Sequence, residues 1–277
     1  MENKMKKIDV HAHTTNRVLK HTMQPYANLK ILEEEMAKYD IEKTVLLATY
    51  FPHRSSGVTN YRLLNWMQGN DKFVMFGSLD FEHYFFQGYN EMAELADAGK
   101  IKGVKVYTCY QNVDLHSDKF KQVVALASKH ALPMMFHTGY SYSSKRNLGR
   151  PSVTDMVSAK NLEFLAKENP QMQFIFSHMS KPYFTEMEQV ALKNENVYTD
   201  MSGLVDSRHN RDEIESSVEV VRHFVEHVGP RKLLFGTDFP VQTHEDSVYF
   251  VEKGMQGFSE SDRQDVYYNN ARRLIKW

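Results

Sequence analysis

The stretch Lys7-Ile8-Asp9-Val10-His11-Ala12-His13 decides how this chain is read. It is short, apolar at alternate positions and β-branched, the profile of a buried strand. Alternate side chains of a strand point to one face, so His11 and His13 project together. Seven further runs share that length and character, at 44–49, 73–79, 103–107, 133–137, 174–178, 197–201 and 233–238.

The stretches between the runs carry helical periodicity. Leu29, Leu32, Met36 and Tyr39 form one stripe, and Ile214, Val218, Val221 and Val225 another. Ser117 is placed to cap a helix whose apolar face is Phe120, Val123, Val124 and Ala127. Leu162, Leu165 and Ala166 mark a helix that Pro170 ends, and Gly99 reads as a helix-terminating glycine. Ser261 reads as the cap of the last helix, which carries Val266, Asn270 and Leu274. Eight strands alternating with helices imply an α/β fold with a parallel sheet. Even spacing favours a closed (β/α)8 barrel over an open doubly wound sheet. The length of 277 residues suits one such barrel. No linker or low-complexity tract divides the chain, so residues 1–277 are expected to form a single domain.

Composition narrows the function. Hydrophobic residues make up 42% and charged residues 25%, as in an ordinary soluble domain with a large core. The formal net charge of -1 and the lack of a basic stripe give no footprint for nucleic acid or an anionic membrane. One cysteine, Cys109, cannot form an internal disulfide. Residues 1–7 lack an apolar segment of the signal-peptide kind, and no run reaches membrane-spanning length. A cytoplasmic protein is expected, with a small-molecule substrate and no nucleic-acid or membrane partner. A homodimer stays open.

Polar residues of interest close the runs. His11 and His13 end the first, His137 the fifth, His178 the sixth and Asp238 the eighth. In a barrel all C-terminal strand ends meet on one face, where the active site lies. Each residue alone has a plain structural reading: a satisfied core histidine for His137 or His178, a helix cap for Asp238. Their common placement joins them. Histidines with a carboxylate suit zinc or a similar divalent ion, which lowers the pKa of bound water. The remaining histidines, among them His21, His130, His223, His227 and His244, read as mostly surface residues, and Met134, Met135 and Met201 as core filler.

Six segments then carry a resemblance. They are Ile8-Asp9-Val10-His11-Ala12-His13, Gly103-Val104-Lys105-Val106-Tyr107, Phe136-His137-Thr138-Gly139, Phe176-Ser177-His178, Leu234-Phe235-Gly236-Thr237-Asp238-Phe239-Pro240 and Asn269-Asn270-Ala271-Arg272-Arg273-Leu274. In this order the chain resembles the amidohydrolase superfamily, in its amidohydrolase-related branch. The resemblance implies a distorted TIM barrel in which His11, His13, His137 and Asp238 hold one divalent metal ion, usually Zn2+. It implies that Asp238 is also the general base. His178 lies beside the ion, binding a second one or hydrogen-bonding substrate and water. Lys105 occupies the position where binuclear members carry a carboxylated bridging lysine. Its other reading is a lysine paired with an acidic ligand or a substrate carboxylate.

The expected activity is a metal-dependent hydrolase that cleaves an amide, lactone or related carbonyl bond of a small polar or anionic substrate. Cationic loops support an anionic substrate, and Arg54, Tyr107 and Tyr140 are the nominated substrate contacts. Arg54 matches the arginine that related decarboxylases turn on a substrate carboxylate. Two other enzymes remain open: a metal-dependent decarboxylase or hydratase of an aromatic or dicarboxylic acid, and a metal-free lactonase. A non-catalytic barrel is disfavoured by the full ligand set.

Overall fold

Eight strands of the computed structural model, which describes residues 5–49, 58–140 and 156–277, pair in parallel from end to end of the chain. They are β1 (Lys7–Ala12), β2 (Ile41–Leu47), β3 (Phe73–Gly77), β4 (Gly103–Val106), β5 (Met134–Phe136), β8 (Phe174–Phe176), β9 (Val197–Asp200) and β10 (Leu233–Leu234). Two short strands between β5 and β8, β6 (Gly139–Tyr140) and β7 (Met156–Val157), form a separate antiparallel pair. Ten helices are described: α1 (Leu29–Lys38), α2 (Asn60–Trp66), α3 (Phe85–Asp97), α4 (Asp118–Lys129), α5 (Ala159–Glu168), α6 (Phe184–Lys193), α7 (Ile214–His227), α8 (His244–Gly254), α9 (Glu260–Gln264) and α10 (Asn270–Leu274). No helix among the described residues is long and apolar enough to cross a membrane.

The sheet curls into a nearly closed barrel, as the alternation of strands and helices predicts. Its seam joins β1 to the segment after β10. Val10 N–H donates to the Phe235 carbonyl (3.0 Å), Asp238 N–H to His11 (2.7 Å) and His13 N–H to Phe239 (2.8 Å). Ile8, Val10, Val45, Leu47, Phe76, Met135, Ile175 and Leu234 form one buried cluster with Ala271 and Ile275. Side chains from six strands around a curled sheet meet in one cluster only if they fill its interior. The larger apolar cluster lies between the strands and the helices, with Val104, Phe136 and Phe174 from the sheet and Leu32, Phe120 and Val221 from helices.

β1 contains a bulge that strand periodicity does not reveal. Asp9 pairs with Thr44 and Ala12 with Leu46, so β1 spends one more residue than β2 between these points. Alternation is broken there: Ile8 and Val10 pack inside the barrel, with Asp9 behind the strand wall against His244 of α8, but Ala12 joins the outer cluster.

The helix ends mostly follow the sequence. Ser117 accepts a hydrogen bond from Phe120 N–H (3.3 Å), and α5 stops one residue before the Asn169–Pro170 pair. Gly99 follows α3 with φ +65°, the left-handed turn a glycine supplies without strain. Two expectations fail. Ser259, not Ser261, caps α9: it sits in extended backbone and exchanges hydrogen bonds with Asp262 in a capping box, while Ser261 falls inside the helix. His244, read as a surface residue, opens α8 fully buried between Tyr39 and Phe239.

Candidate metal centre

The strand ends converge as the topology requires. Nε2 of His13 lies 3.3 Å from Oδ1 of Asp238, and Nε2 of His11 lies 3.5 Å from the same oxygen. Their ligand atoms all lie within 4.8 Å of one another. The bulge delivers His11 to this point, and the tight turn after β10 delivers Asp238, which adopts φ +56°. Aspartate tolerates that left-handed backbone better than most residues. Asp238 therefore faces the histidines rather than capping α8, where Thr243 does the capping.

Asp200, at the end of β9, organises the back of the site. Its Oδ2 meets Nδ1 of His11 at 3.1 Å. Its Oδ1 accepts the N–H of His178 (3.1 Å), the N–H of Ser202 (3.1 Å) and the Ser202 hydroxyl. Oδ1 is occupied by three donors and Oδ2 faces His11, so the carboxylate orients His11, although with His11 and His178 it also forms a buried group of ligand type. It fixes the proton of His11 on Nδ1 and leaves Nε2 as a lone pair toward Asp238.

His137 and His178 form the adjoining pair. Nδ1 of His178 faces the Ser202 carbonyl (2.8 Å) and the Ser202 hydroxyl oxygen (3.0 Å), whose proton is spent on Asp200. That nitrogen must carry a proton. Nε2 of His137 faces the Tyr140 carbonyl at 3.2 Å and must carry one too. What remains is Nε2 of His178 against Nδ1 of His137, two lone pairs 3.0 Å apart. A cation between or beside them, whether proton or metal, is needed to reconcile them.

Burial resists supplying that cation as a proton. It pushes the His11 imidazole down to about 3, and drives His137 and His178 below the ordinary histidine range. Burial also works to raise Asp238, but the contact with His13 and the nearby His11 and His178 overcome it and hold the carboxyl well below its usual range. Asp200 is likewise ionised, with His11 leading its neighbours in overcoming burial. Neutral imidazoles facing ionised carboxylate are the donor set a divalent cation takes. The residues present fit such an ion: His11, His13 and Asp238 directly, with His137 and His178 alongside.

The backbone at His178 is held out of its comfort range. His178, Met179 and Ser180 adopt φ of +62°, +48° and +58° in succession. Asp200 restrains the first of them, and Ser180 accepts the Ala159 N–H at 2.9 Å. Gly203 completes the wall at φ +60°; a Cβ there would stand 2.9 Å from both Asp238 Oδ2 and His178 Nδ1.

Lys105 is the third residue of β4, fully buried, and donates to Ser177 Oγ at 3.1 Å. Burial lowers its ammonium to about 8, against the pull of Asp200 and Asp238. Among the described residues no acid forms a salt bridge with it. Its ammonium lies 5.5 Å from the ring of Tyr107, which is buried and donates its hydroxyl to the Ala48 carbonyl at 3.0 Å. Tyr140 is about half exposed at the rim. Arg54 lies outside the described residues, as do His53, Tyr142, Lys145, Arg146 and Arg150. A cavity of about 440 Å³ opens over the centre, with His21, Tyr110, Tyr140, Lys181 and His209 on its walls and His137, His178 and Asp238 at its floor.

Asp200 and Ser202 escaped the sequence reading. Asp200 closes the seventh run just as Asp238 closes the eighth, and that common placement was the signal available. Ser202 had none.

The fold agrees with comparisons against known proteins. A search of curated proteins finds no match. Solved structures similar to the chain include a probable 2-pyrone-4,6-dicarboxylic acid hydrolase from Acinetobacter baumannii (16% identity, TM-score 0.67, 97% of this chain and 98% of that one). They include 5-carboxyvanillate decarboxylase from Sphingomonas paucimobilis (12%, 0.67, 98% and 99%) and an amidohydrolase from Burkholderia multivorans with zinc bound (13%, 0.70, 97% and 98%). At such identities the structures speak for the fold alone. The amidohydrolase family model matches residues 8–277, nearly the whole length, and the chain therefore belongs to the amidohydrolase family.

Proposed function

We propose that this protein is a metal-dependent hydrolase in which one divalent ion, zinc or a similar metal, is held by His11, His13, His137 and Asp238. The observation that carries this reading is the convergence of ligand atoms at the barrel mouth. His11 Nε2 and His13 Nε2 face Asp238 Oδ1; burial keeps the His11 imidazole neutral, and the neighbouring histidines keep the Asp238 carboxylate charged. A bound divalent ion supplies Lewis acidity and a water of near-neutral pKa.

The chain's own residues do the rest. Asp238, ionised and its side chain 17% exposed, accepts the proton of the attacking water and returns it to the leaving group. His178, oriented through Nδ1 by Ser202, sits beside Asp238 and steadies the oxygen on which charge develops. The floor of the cavity is buried, so these charges act at low dielectric. The cavity volume suits a small molecule, and its walls carry polar groups for one, among them His21, His209, Asp206 and Lys181, the last paired with Glu213. An amide, lactone or related carbonyl compound fits this description.

The same centre serves a second chemistry. Structures of the same fold include both a dicarboxylic acid hydrolase and an aromatic acid decarboxylase. Tyr110, set edge-on to His137 at 4.9 Å, offers an aromatic wall that an aromatic acid would use. Metal content per chain, measured on protein purified without added metal or chelator, tests the centre. About one equivalent, lost in a His11→Ala, His13→Ala double variant, supports the reading. Two equivalents would assign the His137–His178 pair its own ion. No metal after reconstitution would overturn the metal mechanism and favour a metal-free lactonase. Screening lactones, amides and carboxylated aromatics for acid or carbon dioxide release then separates hydrolase from decarboxylase.

A further inference from the structure

Behind the strand wall, Asp9 is fully buried and takes no part in the chemistry above. The bulge in β1 frees the N–H of His11 from the strand ladder, and Asp9 Oδ1 accepts it at 3.0 Å. Across the seam the chain after β10 frees the N–H of Thr237, and the same Oδ1 accepts it at 3.1 Å. Oδ2 takes the Thr237 hydroxyl at 2.7 Å and faces Nε2 of His244 at 3.6 Å. Thr237 Oγ in turn accepts the N–H of Phe239 at 3.0 Å. One carboxylate thus receives the backbone of His11 and the backbone and hydroxyl of the residue before Asp238.

We infer that Asp9 and Thr237 form a clasp that sets His11 against Asp238, making both of them positioning residues for the metal centre. The argument is geometric. His11 and Asp238 come from opposite ends of the chain and meet only at the barrel seam. Seam hydrogen bonds skip from Phe235 to Asp238, so ordinary strand pairing leaves Gly236 and Thr237 unregistered on this side. The Asp9 carboxylate fills that gap and ties the bulge that re-aims His11 to the turn that presents Asp238. Such support behind ligating residues sets how tightly an ion is held. Thr237 contributes through its hydroxyl, which meets Asp9, the His11 carbonyl (3.4 Å) and the Phe239 N–H, and so can be tested without disturbing a charge.

This inference rests on the metal reading, and the test separates the two. Zinc affinity is measured by competition with a chromogenic chelator, and the visible spectrum of the Co2+-loaded protein is recorded, for the unaltered chain, Thr237→Val and Thr237→Ser. Val221→Ala, a core change on α7, serves as a control matched for loss of stability. We expect Thr237→Val to fold, to bind zinc at least about tenfold more weakly and to show an altered Co2+ spectrum. Thr237→Ser should restore both, and the control should change neither. Thr237→Ala, which adds no bulk, replaces Thr237→Val if the latter does not fold. Unchanged affinity and spectrum in the valine or alanine variant would overturn the clasp while leaving the metal centre standing. An unaltered chain that binds no ion would overturn the metal reading and the clasp with it.

Discussion

At the residue scale, Lys105 shows what the barrel spends on its polar interior. A buried ammonium with one hydrogen-bond partner among the described residues is destabilising, and its fall from an ordinary 10.5 to about 8 corresponds to roughly 3 kcal/mol. The sign follows from proton counting. Between pH 8 and 10.5 the unfolded chain binds a proton here that the folded chain does not, so stability rises with pH across that window. Below pH 8 the full cost is present. Lys105→Met should therefore stabilise metal-free protein in urea unfolding at pH 7, with the gain shrinking toward pH 10; an equal gain at both would refute the assignment. Asp238→Asn leaves the shape of the site but removes its base and its charge, and we expect kcat to fall by about a thousandfold or more. Gly203→Ala should also impair turnover, since its Cβ would crowd Asp238 and His178 from a backbone that disfavours alanine.

At the scale of elements, the turn after β8 stands out. Three consecutive non-glycine residues in left-handed backbone cost of order 1–3 kcal/mol each, and the hydrogen bonds of Asp200 and Ser180 offset that cost. Asp200→Ala would leave two N–H groups and a hydroxyl without their acceptor and the His11 ring with Ser202 Oγ alone. A loss of about 3–5 kcal/mol is expected, read as a lower urea midpoint with little change in slope. A loss under about 1 kcal/mol would show that the turn holds itself. The helices need no such support. Their apolar stripes were legible from spacing, and their ends from Ser117, Gly99 and Pro170. The cap of α9 was missed because Ser259 and Ser261 both precede an acidic residue, and only backbone geometry distinguishes them.

At the scale of the whole molecule, the barrel has two apolar layers, one inside the sheet and one beneath the helices. Neither depends on an ion. Removing metal by chelation should abolish activity and leave the far-ultraviolet circular dichroism essentially unchanged, while the melting temperature falls because the binding energy is lost. Collapse of the dichroism signal would mean that the centre, not the core, holds the barrel.

The sequence by itself determined the eight strand-helix units, the closure into a barrel and the five residues His11, His13, His137, His178 and Asp238 at its mouth. Periodicity records which residues are buried, and parallel topology brings every strand end to one face. Only the tertiary structure decided what stands behind those residues. Asp200 and Ser202 orient His11 and His178 through hydrogen bonds between β9 and distant strands. On a regular strand His11 would have pointed to the outer wall with Asp9; the bulge turned it to the barrel mouth and left Asp9 behind the wall, where it meets Thr237. A bulge is one extra residue in one partner of a pair, so it exists only in the register between two strands and leaves no mark on either alone.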